Sequence, residues 1–275
     1  MMEMGVEDLE AIAREIRVTI VDMLYRIGQE YRGHPGPALS IADIVTCLYF
    51  KVLNIVPQNP RWPDRDRFIL SKGHACPALY AALALRGFFD KKHLYSLRHV
   101  GSILQGHPDM RKTPGIDMTT GSLGHGLSAG VGVALSARLD GKLFRTYVLL
   151  GDGELQEGLV WEAAMAARHY RLDNLIAIID RNRWQSCGSV ERTMNLEPLS
   201  SKWDSFGWKV LEIDGHDIKS ICSSLSVAHT SKPLAIIANT VKGKGVSFME
   251  EDNSWHQRPI TRQEHEKAMS ELQRK

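Results

Sequence analysis

Two short polar segments of this sequence could together hold a metal ion. Asp152 lies between two glycines in Gly-Asp-Gly-Glu (151–154), directly after an apolar run, and Asn182 follows the next apolar run. The glycines allow a tight turn and a close approach to a ligand. A carboxylate and an amide oxygen suit a hard divalent cation such as Mg²⁺, which keeps water and ligand phosphate in its remaining positions. Because Gly-Asp-Gly alone is a common turn, the hypothesis depends on the second segment.

Four of the eleven histidines lie in segments where an imidazole could point into a cleft. His34, His74 and His107 stand in loops rich in glycine or proline, and His256 follows Asn-Ser-Trp (253–255). Imidazole can donate or accept a proton near neutral pH, which suits it to acid–base chemistry. His125 has a glycine-rich context but no assigned role. We predict structural positions for the others, which are His93, His99, His169, His216, His229 and His265.

Alternating strands and helices would have to position these segments. A short apolar strand is predicted at 68–70, and four further apolar runs resemble strands buried on both faces of a parallel sheet, at 147–150, 175–179, 210–213 and 234–238. Helical patterns lie between and around them, at 9–27, 40–50 with Ser40 as N-cap, 77–85, 159–170, 218–229 and 262–275. The order predicts a single α/β domain with a doubly wound, mostly parallel sheet and helices on both faces. Ligands of such sheets bind at the carboxyl ends of the strands, where both polar segments fall.

Composition and charge argue against several other classes. Hydrophobic residues make up 43% and charged residues 24%, which is ordinary for a globular protein. The formal charge of +2 is spread along the chain, so nucleic acid is a poor partner. The four cysteines form no Cys-x-x-Cys pair and indicate neither a zinc site nor a disulfide framework. No apolar run approaches the roughly 20 residues of a membrane helix, and we expect a cytoplasmic protein.

The segments around Asp152 and Asn182 resemble one enzyme family. Tyr-Val-Leu-Leu-Gly-Asp-Gly-Glu-Leu-Gln-Glu-Gly (147–158) and Ile-Ile-Asp-Arg-Asn-Arg-Trp (178–184) are similar to the thiamine diphosphate motif of transketolases. The resemblance implies the thiamine diphosphate-binding fold, in its diphosphate-binding form, over residues 1–275. It also implies that Asp152, the Asn182 side chain and the Trp184 carbonyl hold Mg²⁺, for which Ca²⁺ or Mn²⁺ could substitute. The metal would then hold the diphosphate of the cofactor.

The same resemblance implies roles for further residues. Histidines that match His34, His74, His107 and His256 line the substrate channel of the family, where they bind sugar hydroxyls and help to move protons. Glu157 matches a glutamate near the subunit interface that joins a hydrogen-bond relay toward the cofactor, and we favour this role over that of a carboxylate at a helix start. Contact with the cofactor is implied for His74, Gly121, Leu123, Gly151, Gly153 and His256.

The resemblance runs from about Ala11 to Pro259 and covers only the first domain of the family. The pyrimidine-binding and C-terminal domains have no counterpart here. We therefore expect a separate C-terminal transketolase subunit to supply them, in a heterotetramer of two plus two chains, unless the chain was cut at a domain boundary. The implied reaction, active only with that partner, transfers a two-carbon ketol unit from a ketose phosphate to an aldose phosphate, as in the pentose phosphate pathway.

Two other functions stay open at this point. One is the α subunit of another thiamine diphosphate enzyme, such as a 2-oxo acid dehydrogenase, which also pairs with a separate chain. The four histidine segments argue against it. The other is a non-catalytic scaffold that retains the fold. This alternative is disfavoured because the sequence keeps Asp152, Asn182 and Glu157.

Overall fold

The computed structural model describes residues 4–227 and 231–274. Its main sheet contains β1 (Arg67–Leu70), β2 (Thr146–Gly151), β3 (Leu175–Arg181), β6 (Lys209–Asp214) and β7 (Leu234–Asn239). These strands are all parallel and stand in the order β1-β2-β3-β7-β6. A separate antiparallel hairpin consists of β4 (Trp184–Gln185) and β5 (Gly188–Ser189). The predicted parallel α/β class is confirmed.

Helices cover both faces of this sheet. They are α1 (Val6–Arg26), α2 (Pro35–Leu39), α3 (Ala42–Cys47), α4 (Cys76–Arg86), α5 (His125–Leu139), α6 (Gly158–His169), α7 (Val190–Met194), α8 (Leu199–Ser205), α9 (Ile218–Leu225) and α10 (Arg262–Gln273). Short 3₁₀ turns lie at Gly73–Ala75, Lys91–Ser96, Gly153–Gln156 and Asn253–His256, and a π turn at Leu48–Val52.

Successive side chains of the strands enter two different cores, as the pleat of a strand requires. On β2, Tyr147 and Leu149 pack in the cluster that includes the apolar faces of α1, α3 and α4. Val148 and Leu150 of the same strand pack in the cluster that includes α5, α6 and α8. The sheet is therefore buried on both faces, which explains why its central strands read as continuous apolar runs.

Three local predictions are wrong. β6 is an edge strand, and Glu212 and Asp214 on it are exposed, so it is not buried on both faces. Ser40 does not start a helix; it ends α2, and its hydroxyl donates to the Asp180 carboxylate at 2.8 Å. The helix expected at 218–229 ends at Leu225, and His229 lies outside the described residues.

None of the helices within residues 4–227 and 231–274 has the length and apolar character needed to cross a membrane.

A glycine in the first turn of α5 lets that helix pack against the loop after β1. A Cβ added at Gly126 would lie 2.8 Å from the Cα of Ser71 and closer still to its side chain. We expect Gly126→Ala to lower the free energy of unfolding by about 1–3 kcal/mol through overpacking. Gly132→Ala is the matched control in the same helix, because nothing lies within 4 Å of a Cβ there. Urea denaturation should show the control unchanged or up to about 1 kcal/mol more stable; equal stability of the two variants would contradict the packing.

Candidate active site

A cavity of about 440 Å³ lies at the carboxyl ends of β2 and β3. Loops that follow the strands of the sheet supply most of its wall, as expected for an open α/β sheet. The structure brings together in this wall every site residue suggested by the sequence except His107: His34, His74, Gly121, Leu123, Gly151, Asp152, Gly153, Glu157, Asn182, Trp184 and His256. Their chemical roles remain predictions.

Asp152 and Asn182 stand side by side because β2 and β3 are neighbours, with Gly151 opposite Asp180 in the register. The Asp152 carboxylate is buried and accepts hydrogen bonds from the N–H groups of Gly153, at 2.8 Å, and Arg183, at 2.5 Å. Burial, and secondarily the charge of Asp180, raises the pKa of Asp152 to about 7. The carboxylate is therefore short of compensating positive charge, and a bound cation would supply it.

A divalent cation fits this group of ligands. Asn182 Oδ1 accepts the Trp184 N–H at 3.0 Å, while its Nδ2 donates to Asp180 at 2.7 Å, so the amide is oriented. Within the described parts of the chain, no three His, Cys, Asp or Glu side chains converge as a metal site. The predicted set does not need them, because one carboxylate, one amide and one backbone carbonyl leave positions for phosphate oxygens, as Mg²⁺ prefers.

Two buried charged residues beneath this site were not predicted from the sequence. Lys72 follows β1, and its ammonium forms an ion pair with Asp180 at the end of β3. Asp180 is fully buried and also accepts hydrogen bonds from Ser40 and Thr240. Burial alone would raise the pKa of Asp180, but the Lys72 ammonium and the hydrogen bonds from Thr240 and Ser40 together hold that pKa below its usual value. A charged residue within two positions of the end of an apolar run was the signal that could have indicated both of them.

Glu154 was also missed, although it belongs to the Gly-Asp-Gly-Glu segment. Its buried carboxylate accepts the N–H groups of Gly124, at 2.9 Å, and Gly151, at 3.0 Å, as well as the Ser71 hydroxyl. It thus ties the glycine segment before α5 to the end of β2. Glu157, by contrast, is the exposed N-cap residue of α6 and lies at the mouth of the cavity.

Three imidazoles form a compact group in the wall of the cavity. The ring centroid of His34 is 5.2 Å from that of His74 and 5.5 Å from that of His256, and His74 and His256 are 5.4 Å apart. The buried Nδ1 of His34 has no hydrogen-bond partner within the described residues. His107 is exposed and lies outside the cavity wall, with its ring against Gly121.

Burial keeps these three imidazoles neutral. It lowers the pKa of His34 to about 3 and that of His256 to about 4, and it lowers the pKa of His74 well below its usual value. Neighbouring cations, among them Lys72, add to the effect in each case. The group can therefore accept or donate hydrogen bonds in the neutral form near pH 7.

A fully buried lysine, Lys242, lies behind His256 and was likewise not predicted. Its Nζ donates to Asn253 Oδ1 at 2.6 Å and lies 3.1 Å from His256 Nδ1. Burial, then the charge of Lys72, lowers the pKa of Lys242 to about 8. Lys72 and Lys242 thus bring two positive charges close both to His256 and to Asp152.

The buried neutral histidines predict a loss of stability in acid. Between about pH 4 and 6.5 the unfolded chain protonates His34 and the folded chain does not, so its contribution to stability falls as the pH falls. We expect His34→Gln to reduce the slope of unfolding free energy against pH by about one proton, or about 1.4 kcal/mol per pH unit. Denaturation midpoints at several pH values measure this. His169→Gln, at an exposed position, is the control and should keep the wild-type slope.

A second cavity, of about 530 Å³, shares Asp152 and Trp184 with the first one. Its wall carries Arg181, Glu191 and Glu197 instead of histidines. Arg181 is paired with Glu197 there, so its charge is already compensated. The histidine-lined cavity is consequently the better candidate for chemistry.

Comparison with known proteins identifies the relatives of this chain. Residues 9–273 match the family described as transketolase, thiamine diphosphate binding domain. An apulose-4-phosphate transketolase subunit of Phocaeicola vulgatus is 44% identical over 271 residues, covering 98% of this chain and 95% of that protein. The 6-deoxy-6-sulfo-D-fructose transketolase subunit SqwG of Clostridium sp. is 46% identical, covering 97% of both chains.

Longer relatives and solved structures match in the same region. Human transketolase is 39% identical, covering 96% of this chain but 42% of that protein. The transketolase structure from Campylobacter jejuni superposes with a TM-score of 0.91 and 34% identity, covering 98% of this chain and 43% of that one. A transketolase structure from Pichia stipitis superposes with a TM-score of 0.90 and 33% identity, covering 98% of this chain and 41% of that one. The chain therefore spans about two fifths of these longer proteins.

Proposed function

This chain belongs to the transketolase family as its thiamine diphosphate-binding domain, and we propose that it holds the diphosphate of that cofactor through Mg²⁺ in a two-chain transketolase. The chain is a subunit of an enzyme that transfers ketol groups. The single observation that carries the proposal is the cavity itself, which Asp152 and Asn182 line together with a group of three neutral histidines.

The residues of the cavity would have two functions, which are to bind the metal and to contact the cofactor. The Asp152 carboxylate, the Asn182 amide oxygen and the Trp184 carbonyl would hold Mg²⁺, or Ca²⁺ or Mn²⁺ in its place. The ammonium groups of Lys72 and Lys242 add positive charge for the diphosphate. Cofactor contacts are proposed for Gly121, Leu123, Gly151, Gly153, His74 and His256.

When bound, thiamine diphosphate supplies a nucleophilic carbon and a ring that delocalises the electron pair left by carbon–carbon cleavage. The protein then has to orient the sugar and move protons. The His34 imidazole, which lines the cavity, would contact a sugar hydroxyl, and the ring centroids of His74 and His256 lie 5.2 Å and 5.5 Å from that of His34. His107, beside Gly121, would contact the substrate at the mouth of the cavity.

We also propose that a partner chain completes the active site. The relatives that this chain matches along almost their whole length are named as subunits, whereas transketolases more than twice as long contain the matching region within one chain. Glu157 and the partly exposed Leu123 lie at the mouth of the cavity, where a pyrimidine-binding domain would cover them. Two such chains with two partners would form the assembly.

Reconstitution with that partner tests the proposed function. With thiamine diphosphate and Mg²⁺, the complex should transfer a two-carbon unit between ketose and aldose phosphates, and this chain alone should be inactive. The relatives are named for different sugars, apulose-4-phosphate and 6-deoxy-6-sulfo-D-fructose. The substrate panel should therefore include phosphorylated and sulfonated ketoses. Decarboxylation of pyruvate without ketol transfer would favour a 2-oxo acid dehydrogenase subunit, and cofactor binding without turnover would favour a scaffold.

A further inference from the structure

Lys242 is held rigidly behind the histidine group. The N–H of the preceding residue, Val241, donates to His216 Nε2 at 2.8 Å. The carbonyl of Lys242 accepts the Glu251 N–H at 2.9 Å, and its side chain is fully buried. The backbone around Lys242 is therefore positioned by the segment after β7, and its side chain is shielded from solvent.

The ammonium of Lys242 makes two defined side-chain contacts. It donates to Asn253 Oδ1 at 2.6 Å, and the Asn253 amide is oriented in turn because its Nδ2 donates to the carbonyl of Ser186 at 3.1 Å. The second contact is His256 Nδ1, at 3.1 Å. A lysine ammonium has three N–H donors and no acceptor, so Nδ1 of His256 has to be the acceptor in this hydrogen bond.

A neutral imidazole carries one proton, on Nδ1 or on Nε2, and the hydrogen bond made by one nitrogen decides the state of the other. We propose that Lys242 fixes the tautomer of His256, so that Nδ1 accepts from the ammonium and Nε2 carries the proton. Lys242 is then a positioning residue that acts through His256. His256 is neutral near pH 7 because burial and the two nearby lysines lower its pKa to about 4, which leaves the tautomer as the only variable.

The consequence is a fixed hydrogen-bond donor in the cavity. His256 lines the cavity, whereas Lys242 occupies its Nδ1 side, so Nε2–H is the nitrogen left for a ligand. That this donor meets an oxygen of the sugar rests on the proposed function. The tautomer itself does not, because every contact that sets it lies within this chain.

The tautomer can be measured on this chain without cofactor or partner. In the chain with ¹⁵N-labelled histidine, long-range ¹H–¹⁵N correlation spectra distinguish a protonated from an unprotonated ring nitrogen, and the loss of signals in His256→Gln assigns them. We expect an unprotonated Nδ1 and a protonated Nε2 for His256. In Lys242→Met that single pattern should be replaced by the averaged pattern of two tautomers.

Lys244→Met is the matched control, two residues away in the same segment. Its Nζ is 4.0 Å from Glu250, and it should leave the His256 spectrum unchanged. A protonated Nδ1 in the wild-type chain would overturn the proposal even if Lys242→Met failed to fold. An unaltered pattern in a folded Lys242→Met would overturn it as well. A lack of ketol transfer in the reconstituted enzyme would instead count against the proposed function alone.

Discussion

Asp152→Ala is expected to abolish Mg²⁺-dependent binding of thiamine diphosphate to the reconstituted complex. The carboxylate is the only charged group among the three proposed metal ligands, and it lies buried at the end of β2. Loss of a residue that merely orients a metal ligand typically costs about 10–100-fold in metal affinity, so loss of the ligand itself should exceed about 100-fold. Calorimetric titration of the cofactor at fixed Mg²⁺ measures the effect.

A second substitution at the same position separates binding from folding. Asp152→Asn keeps the shape and one acceptor oxygen, for the Arg183 N–H, but removes the charge and the acceptor for the Gly153 N–H. Because the pKa of Asp152 is raised to about 7, the charged carboxylate destabilises the metal-free fold near neutral pH. We therefore expect Asp152→Asn to keep or raise the stability of the metal-free chain while it weakens cofactor binding.

The control for both substitutions is Asp140→Ala, at an exposed position just after α5. It should leave cofactor affinity unchanged. A wild-type affinity for thiamine diphosphate in Asp152→Ala would contradict the metal assignment. A parallel loss of stability and cofactor affinity in Asp152→Asn would show that the residue acts through the fold.

Among the single substitutions proposed for this chain, Lys72→Met is expected to lower the free energy of unfolding the most. It would leave the fully buried Asp180 carboxylate without its ion-pair partner. Removal of one partner from a buried ion pair typically costs about 3–5 kcal/mol, because an uncompensated charge remains in the interior. Chemical denaturation should show a loss of that size.

The double variant Lys72→Met/Asp180→Asn provides the control. With both charges removed, no buried carboxylate is left unpaired, and the double variant should be more stable than Lys72→Met alone. The new amide in place of the Asp180 carboxylate could still meet the hydroxyls of Ser40 and Thr240. Additive losses in the two single substitutions, with no recovery in the double variant, would contradict the pairing.

Much of the fold was predictable because its central strands are buried on both faces. Such strands have to be apolar along their whole length, as at Val148 and Leu149, and the run is visible in one sequence. The edge strand β6 has a similar run, but its position at the edge depends on the order of strands, which the run does not contain. Ser40 has the local preference of an N-cap, yet a carboxylate distant in the chain binds its hydroxyl instead.

Part of the candidate site was also predictable from the sequence. Asp152 and Asn182 follow neighbouring strands, so the sequence order of the motifs already suggested that they meet. Lys72 and Asp180 could not be paired in this way, because their contact requires β1 and β3 to stand on either side of β2. Lys242 reaches His256 only because the segment after β7 folds back toward the histidines. Pairings of this kind are tertiary, and no local pattern encodes them.

The central claim is that this chain contributes the diphosphate and metal half of the cofactor site. A crystal of the complex with the partner chain, thiamine diphosphate and Mn²⁺ tests it most directly, through the anomalous signal of the metal. We predict one Mn²⁺ peak bound by Asp152, Asn182 and the Trp184 carbonyl, with the diphosphate between the metal and the two buried lysines. A cofactor bound with its diphosphate elsewhere, or a Mn²⁺ peak held by other residues, would contradict the claim.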